Sequence, residues 1–405
     1  MEKESEIRPV DGGLTLIEGI KASGVPCGLK RNKKDLAIIY SEVPAVTAGV
    51  FTRNRVQAAP IKLCRERTGN LIRAVVVNSG NANACTGEKG LANAYAMAEL
   101  ASRALQVNPE QIMVCSTGVI GTQLPMEKIR AGIESAAAAL TTEPSGTLDA
   151  AEAILTTDTV IKQVAYRARL SERTVHLAGI AKGSGMIAPN MATMLAFLVT
   201  DLRFSRQLLQ KLLTRAVERS FNLITVDGDT STNDTVLLLA NGSSGVEVRE
   251  GDASCRLFYR MLEQACRRLA YQIVADGEGA NRVIALTVAG APDFLVASRL
   301  ARAVLNSPLV KTAFYGQDAN WGRIMSALGN AGVGLDPEKV DIYLGSVQVA
   351  AGGGAVPFDE QAAATVLQQE EVPVLVELHA GRVSVTAWGT DLSPEYIRIN
   401  SGYRS

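Results

Sequence analysis

Residues 182–200 read KGSGMIAPNMATMLAFLVT, and Thr193 stands where a Gly/Pro-rich loop gives way to an apolar run. Three chemistries fit a hydroxyl at such a junction. The loop could cradle a phosphate: Gly183-Ser-Gly-Met-Ile-Ala188 matches G-x-G-x-x-A, with Asp201 downstream where a ribose-binding acid would fall. That fingerprint needs a helix at its third position, and Pro189 with Asn190 stops a helix almost at once. No G-x-x-x-x-G-K-[ST] occurs, which excludes a P-loop. The second reading is structural, with Thr193 a core strand residue suited by its β-branch. The third is nucleophilic. An amino-terminal threonine needs no histidine, because its own α-amine serves as the base. Such an amine titrates near about pH 8, so a useful fraction is neutral in a cytoplasm. Thr193 lies mid-chain, so this reading demands scission between Ala192 and Thr193. The same hydroxyl can do that by attacking the preceding carbonyl, giving an ester that water opens.

The other chemistry-bearing residues narrow the field. The chain has only two histidines, His176 and His379, each in a short strand-like stretch and neither at ligand spacing from a second histidine or a cysteine. Its six cysteines are scattered without a Cys-x-x-Cys pair. A His/Cys zinc site and a Ser-His-Asp arrangement are therefore not expected. Reduced, buried thiols are. Polar glycine, amide and hydroxyl loops recur after apolar runs, at 78–83, 116–118, 156–159, 227–234, 276–281 and 318–322. Loops of this composition at strand ends recognise small polar molecules.

These loops must be held by elements. At 405 residues the chain is long enough for two or three cores or one large α/β assembly. Lys+Arg and Asp+Glu both number 41, which argues against a nucleic-acid or anionic-membrane partner. No apolar run approaches the ~18–20 residues of a spanning helix. The opening MEKESEIR lacks an apolar signal region and is too acidic for a transit peptide, so a cytoplasmic location is expected. Strands are expected at 35–40, 72–80, 111–118, 234–242 and 282–291, a hairpin over 160–182, and tail strands at 340–350 and 382–390. Helices are expected over 90–105, 125–140, 148–158, 205–221, 253–274 and 360–370, and over 292–316 with an interruption at Pro308. This order points to α/β or α+β layers. The most linker-like point before the tail is 290–294.

Taken together, GSGMIAPNMATMLAF, VNSGNANACTG, CSTGVIG, TTDT, ITVDGDTSTNDT, ADGEGA, DANWGRI and a terminal N-x-x-Y-x-[ST] resemble the ornithine acetyltransferase family, the ArgJ type of glutamate N-acetyltransferase. The resemblance runs from about residue 10 to the end. It implies an α+β fold: a layered α/β sandwich with the self-cleaved strand at its centre and a smaller C-terminal α/β lobe at about 290–398. It implies an arginine-biosynthesis enzyme that cuts itself at Ala192–Thr193 into an α chain (1–192) and a β chain (193–405), assembled as α2β2. Thr193 would carry acetyl from N2-acetyl-L-ornithine to L-glutamate in a ping-pong cycle. No metal or organic cofactor is implied, and acetyl-CoA is a second donor in bifunctional members only. Thr117 and Gly118 match the family's oxyanion hole, and Thr156, Lys182, Thr193, Glu278, Asn400 and Ser405 its substrate-binding positions. Ser405 replaces a threonine found in many members and keeps the hydroxyl.

Overall fold

The strands Leu195–Thr200 and Thr235–Ala240 are buried at every position, as near-continuous apolar runs require when both faces of a sheet are covered. They lie side by side, parallel, in the middle of the larger sheet of the computed structural model, which describes residues 6–170, 172–188 and 194–402. Outside them run Arg173–Lys182, Lys162–Leu170 and Arg8–Pro9 on one side, and Leu36–Phe51, Leu71–Asn81 and Ile112–Val119 on the other. Ile20–Val25 pairs with the first part of Leu36–Phe51. That long strand joins the two parts of the sheet. Its residues 36–46 pair with Leu71–Asn81, with a register shift between Tyr40 and Ala45, and its residues 46–51 pair with Thr235–Ala240.

Alternation along the central strands feeds two cores. Phe197, Val199, Leu237 and Leu239 join a core shared with helices Ala59–Arg67, Gly87–Leu105, Met126–Ala138 and Pro144–Ala153. Ala196, Leu198, Val236 and Leu238 face helices Arg206–Glu218 and Ala253–Ala275. Those two helices also pack on the second sheet, whose Ala285, Trp388 and Ile224 belong to the same core. Among the described residues this second sheet has seven strands. In order they are Gly354–Ala355, Val347–Ala351, Asp341–Leu344, Glu371–Glu377, Val283–Ala291, Val383–Thr390 and Ile224–Thr225. Helices Phe294–Leu305, Pro308–Tyr315, Trp321–Gly329 and Glu360–Leu367 cover its other face. The molecule is a layered α+β fold. No described helix is long and apolar enough to cross a membrane.

The sequence periodicities place the long helices and the 160–182 hairpin within a few residues. Pro308 does interrupt the 292–316 helix, and it does so by opening the next helix at its first position. Two strands longer than two residues escape the periodicity. Glu371–Glu377 carries Pro373 at its centre, and Ile20–Val25 carries Ser23 and Gly24, so neither reads as a regular apolar run.

Candidate active site

At one edge of the central strands, Lys182 pairs with Leu195 and Leu195 with Thr235. The last residue of one strand thus sits beside the first residues of two others. Loops from elsewhere close over this edge to form a pocket of about 590 Å³ lined by Thr117, Gly118, Thr156, Lys182, Glu278 and Asn400, together with Ser231, Thr232 and Asn233. Six of the residues anticipated from sequence therefore meet in one place. The others, Ala192, Thr193 and Ser405, lie outside the described residues.

Thr117 and Gly118 end the strand Ile112–Val119, which runs parallel to Leu71–Asn81. Gly118 has φ +127°, and a Cβ there would fall 2.4 Å from the Gly80 carbonyl carbon, so only glycine fits. The turn after Leu71–Asn81 is fixed from within: Ser116 Oγ donates to Asn78 Oδ1 at 2.6 Å, and Asn78 Nδ2 donates to the Asn81 carbonyl at 2.8 Å. Asn233 Nδ2 donates to the carbonyls of Ala82 (2.7 Å) and Ser116 (2.8 Å), tying the 227–234 loop to this turn.

Lys182 is buried, and its Nζ donates to Thr117 Oγ1 at 3.4 Å. Burial pushes its ammonium below the usual lysine range, while Asp158, Asp234 and Glu278 pull it back up and Lys162 pushes it further down. Asp158 is buried too, accepting from Lys162 Nζ (2.8 Å), Gly183 N–H (2.6 Å) and Thr156 N–H (3.0 Å). Burial alone would raise its carboxyl, but Lys182, Lys162 and the Thr156 N–H outweigh it and hold it at about 2. Lys162 Nζ also donates to Asp276 Oδ2 at 2.5 Å. Lys162 thus bridges two carboxylates, Asp158 and Asp276, beside the pocket, and the Lys182 charge interacts with Asp158 through space.

Glu278 follows helix Ala253–Ala275. Its backbone N–H donates to the Ser184 carbonyl at 3.1 Å, and its Oε2 accepts from Asn400 Nδ2 at 2.8 Å. A Cβ on Gly185 would come within 2.3 Å of the Glu278 carboxyl carbon, so the carboxylate rests against bare backbone. Asn400 sits on the last described helix, Pro394–Gly402, where its Nδ2 also donates to the Tyr396 carbonyl. The 183–188 loop is gripped by Asp227, which accepts from the N–H groups of Met186 (2.5 Å) and Ile187 (2.8 Å). Met186 is a non-glycine residue at φ +57°, a conformation this grip holds in place. On the far side of the undescribed residues, Asp234 Oδ1 accepts from Met194 N–H at 3.0 Å.

The dinucleotide reading fails on geometry. Residues 183–188 form no helix, and the Asp201 carboxylate accepts from the His176 backbone N–H and pairs with its ring. His379 pairs with Asp341. Neither histidine lines the pocket. Sequence reading missed Lys162, Asp158, Asp276, Asp227 and Asp234 as site residues. All but Lys162 lie in polar loops already singled out, and repeated acids in loops that also carry glycines and hydroxyls were the available signal. Lys162, inside a hairpin strand, offered none.

The ArgJ family model matches residues 21–405. A protein of Symbiobacterium thermophilum named arginine biosynthesis bifunctional protein ArgJ is 51% identical over 400 residues, covering 97% of this chain and 99% of the relative. The protein of the same name from Bacillus subtilis is 46% identical over 405 residues, covering 99% of each. A solved ornithine acetyltransferase from Mycobacterium tuberculosis, complexed with ornithine, is 39% identical over 45% of this chain and 98% of that one, with a TM-score of 0.43. A family model spanning nearly the whole chain, and relatives matched end to end at this identity, lead to one conclusion: the chain belongs to the ArgJ family.

Proposed function

We propose that this enzyme of arginine biosynthesis moves an acetyl group from N2-acetyl-L-ornithine to L-glutamate through an ester on Thr193, after scission between Ala192 and Thr193. The observation that carries this reading is the meeting of Lys182 and Glu278 in one pocket with Thr117 and Gly118. Both substrates are amino acids, so the pocket must offer a cation to a carboxylate and an anion to an ammonium. Lys182 and Glu278 supply one of each. Asn400, Thr156 and Ser405 add hydrogen bonds that orient the substrate.

The free α-amine of Thr193 takes the proton of its own hydroxyl as Oγ attacks the acetyl carbonyl carbon. Negative charge gathers on the carbonyl oxygen, where the Gly118 N–H and Thr117 hydroxyl receive it; losing one such donor costs ~10²–10³ in rate. The C–N bond breaks, the α-nitrogen of ornithine takes the proton, and ornithine leaves. Glutamate's neutral amine then attacks the ester, and Thr193 recovers its proton. The cycle requires no metal or organic cofactor. The family relatives' bifunctional name is matched here by acetyl-CoA as a second donor, and the cut chains stay together as α2β2. Denaturing mass spectrometry should find two chains in the wild type and one inactive chain in Thr193→Ala. Acetyl transfer to glutamate, run in parallel with acetylornithine and acetyl-CoA, tests the donors. A wild-type polypeptide that is active while whole would overturn the mechanism.

A further inference from the structure

Lys182 is a buried cation that no carboxylate touches. Among the described residues its Nζ forms no ion pair, and its one hydrogen bond runs to Thr117 Oγ1 at 3.4 Å. A buried ammonium without a contact partner is costly, so its charge must be held from nearby. A protonated lysine can only donate, so Thr117 accepts from it and keeps its own hydroxyl proton for the pocket. Loss of the Lys182 proton would remove the one cation that lines the pocket and free Thr117 to turn its hydroxyl toward the amine.

Four charged side chains face Lys182: Asp158, Lys162, Asp234 and Glu278. Asp234 precedes strand Thr235–Ala240, and burial pushes its carboxyl well above the usual carboxylate range. Glu278 gives one oxygen to Asn400. Lys162 opposes the Lys182 charge, and Asp158 acts most strongly in its favour. Yet Asp158 is kept from closing on Lys182. Its side chain is fully buried and both oxygens are taken: Oδ1 accepts from Lys162 Nζ (2.8 Å) and Gly183 N–H (2.6 Å), and Oδ2 from Thr156 N–H (3.0 Å). Lys162 is anchored in turn by Asp276, and Lys30 faces Asp158 from the loop before strand Leu36–Phe51. The two N–H donors belong to Thr156, which lines the pocket, and to the residue that follows Lys182.

Resting on the reading of Lys182 as the cation that meets a substrate carboxylate, we propose that Asp158 is a positioning residue for it. Clamped by Lys162 and two backbone N–H groups, Asp158 stabilises the Lys182 ammonium from beyond ion-pair distance and leaves that ammonium's donors to Thr117 and the substrate. A direct ion pair would hold the charge equally well but would spend a donor the carboxylate needs. The clamp separates the two tasks. It also joins the Thr156 wall of the pocket to the Lys182–Gly183 wall through one carboxylate.

The test is the pH dependence of kcat/KM for N-acetylglutamate as acetyl donor with ornithine as acceptor, on enzyme whose complete division is checked by intact mass. This donor's carboxylates stay ionised from about pH 6 upward. In a ping-pong cycle the acceptor does not enter kcat/KM for the donor. The wild type should show an alkaline limb. Asp158→Asn keeps the shape and removes the negative charge, while Lys162 retains its Asp276 partner. Its limb should therefore move down by at least about one pH unit, with the deficit against wild type shrinking as the pH falls. Lys162→Met removes the opposing cation, so its limb should move up. Lost packing alone would give a deficit of one size at every pH. If Asp158→Asn fails to fold or divide, the Lys162→Met profile decides, since a methionine stem fills most of the lysine's volume. Limbs that coincide with wild type, or a Lys162→Met limb that moves down, overturn the role of Asp158 and leave Lys182 in place. A wild type without the limb, or Lys182→Met with kcat/KM within about threefold of wild type, overturns the reading of Lys182 itself.

Discussion

Glu278 shows how a single side chain can be held ready for a charged guest. Its carboxylate lies against Gly185, takes one hydrogen bond from Asn400, and leaves its other oxygen to the pocket. Glu278→Gln keeps the volume and removes the charge. Because a hydrogen bond to a charged group contributes about 1.5–3 kcal/mol, kcat/KM for acetylornithine should fall roughly 10- to 100-fold with the chain still dividing normally. Steady-state kinetics and denaturing electrophoresis of the same sample check both halves. At this scale the sequence was legible where composition is unusual. Hydroxyl and glycine loops pointed to the Thr117–Gly118 turn, and the poverty in histidine pointed away from the common bases. Lys182 and Glu278 were read through a family pattern alone, since a lone lysine or glutamate is ordinarily a solvated surface charge. Asp158 and Asp234 stayed hidden because burial is a property of three dimensions.

Among the elements, the parallel pair Leu71–Asn81 and Ile112–Val119 positions Thr117 and Gly118, the proposed oxyanion donors, by pressing two backbones together. Gly80 (φ +91°) and Gly118 (φ +127°) face each other there. Gly118→Ala would drive a methyl into the Gly80 backbone at 2.4 Å and into an unfavourable φ. The strands must part, moving both donors, so a loss of at least about 100-fold in kcat is expected with KM changed far less. A kcat that stays near wild type would remove this turn from the chemistry. Periodicity recovered the longer helices and the long apolar strands because their burial repeats at 3.6 or 2 residues, and it missed the short helices Ala59–Arg67, Trp321–Gly329 and Pro394–Gly402. It stopped short on Leu36–Phe51, read only as 35–40. Glu42, Val43 and Pro44 are exposed where its ladder shifts register, and the strand resumes at Ala45.

For the molecule as a whole, one buried cation joins the second sheet to the active-site loop. Lys311 Nζ donates to the Val226 carbonyl (2.7 Å), the Thr390 carbonyl (2.6 Å) and Thr390 Oγ1 (3.0 Å). Val226 precedes the Asp227 that grips Met186 and Ile187. Burial brings the Lys311 ammonium down to about 8, against the pull of Asp227 and Asp391. The unfolded chain holds this proton up to about pH 10.5, so between about pH 8 and that value the unfolded state binds more protons than the folded one, and stability rises with pH. The increment is on the order of 3 kcal/mol. Urea midpoints of the undivided Thr193→Ala chain between about pH 7.5 and about pH 10 should rise by more than those of the same chain carrying Lys311→Met.

The order of strands in the larger sheet has one more outcome. Leu195–Thr200 and Thr235–Ala240 come from after the proposed scission point, yet Arg173–Lys182 and Leu36–Phe51, on either flank, come from before it. Division would leave two polypeptides dovetailed through a shared ladder, each lacking its neighbours when alone. Reassembly after unfolding then becomes a second-order encounter that dilution frustrates, whereas the undivided precursor folds at a rate indifferent to dilution. The working life of the mature enzyme would accordingly be set by how slowly it first comes apart, and a melted sample would regain little on cooling.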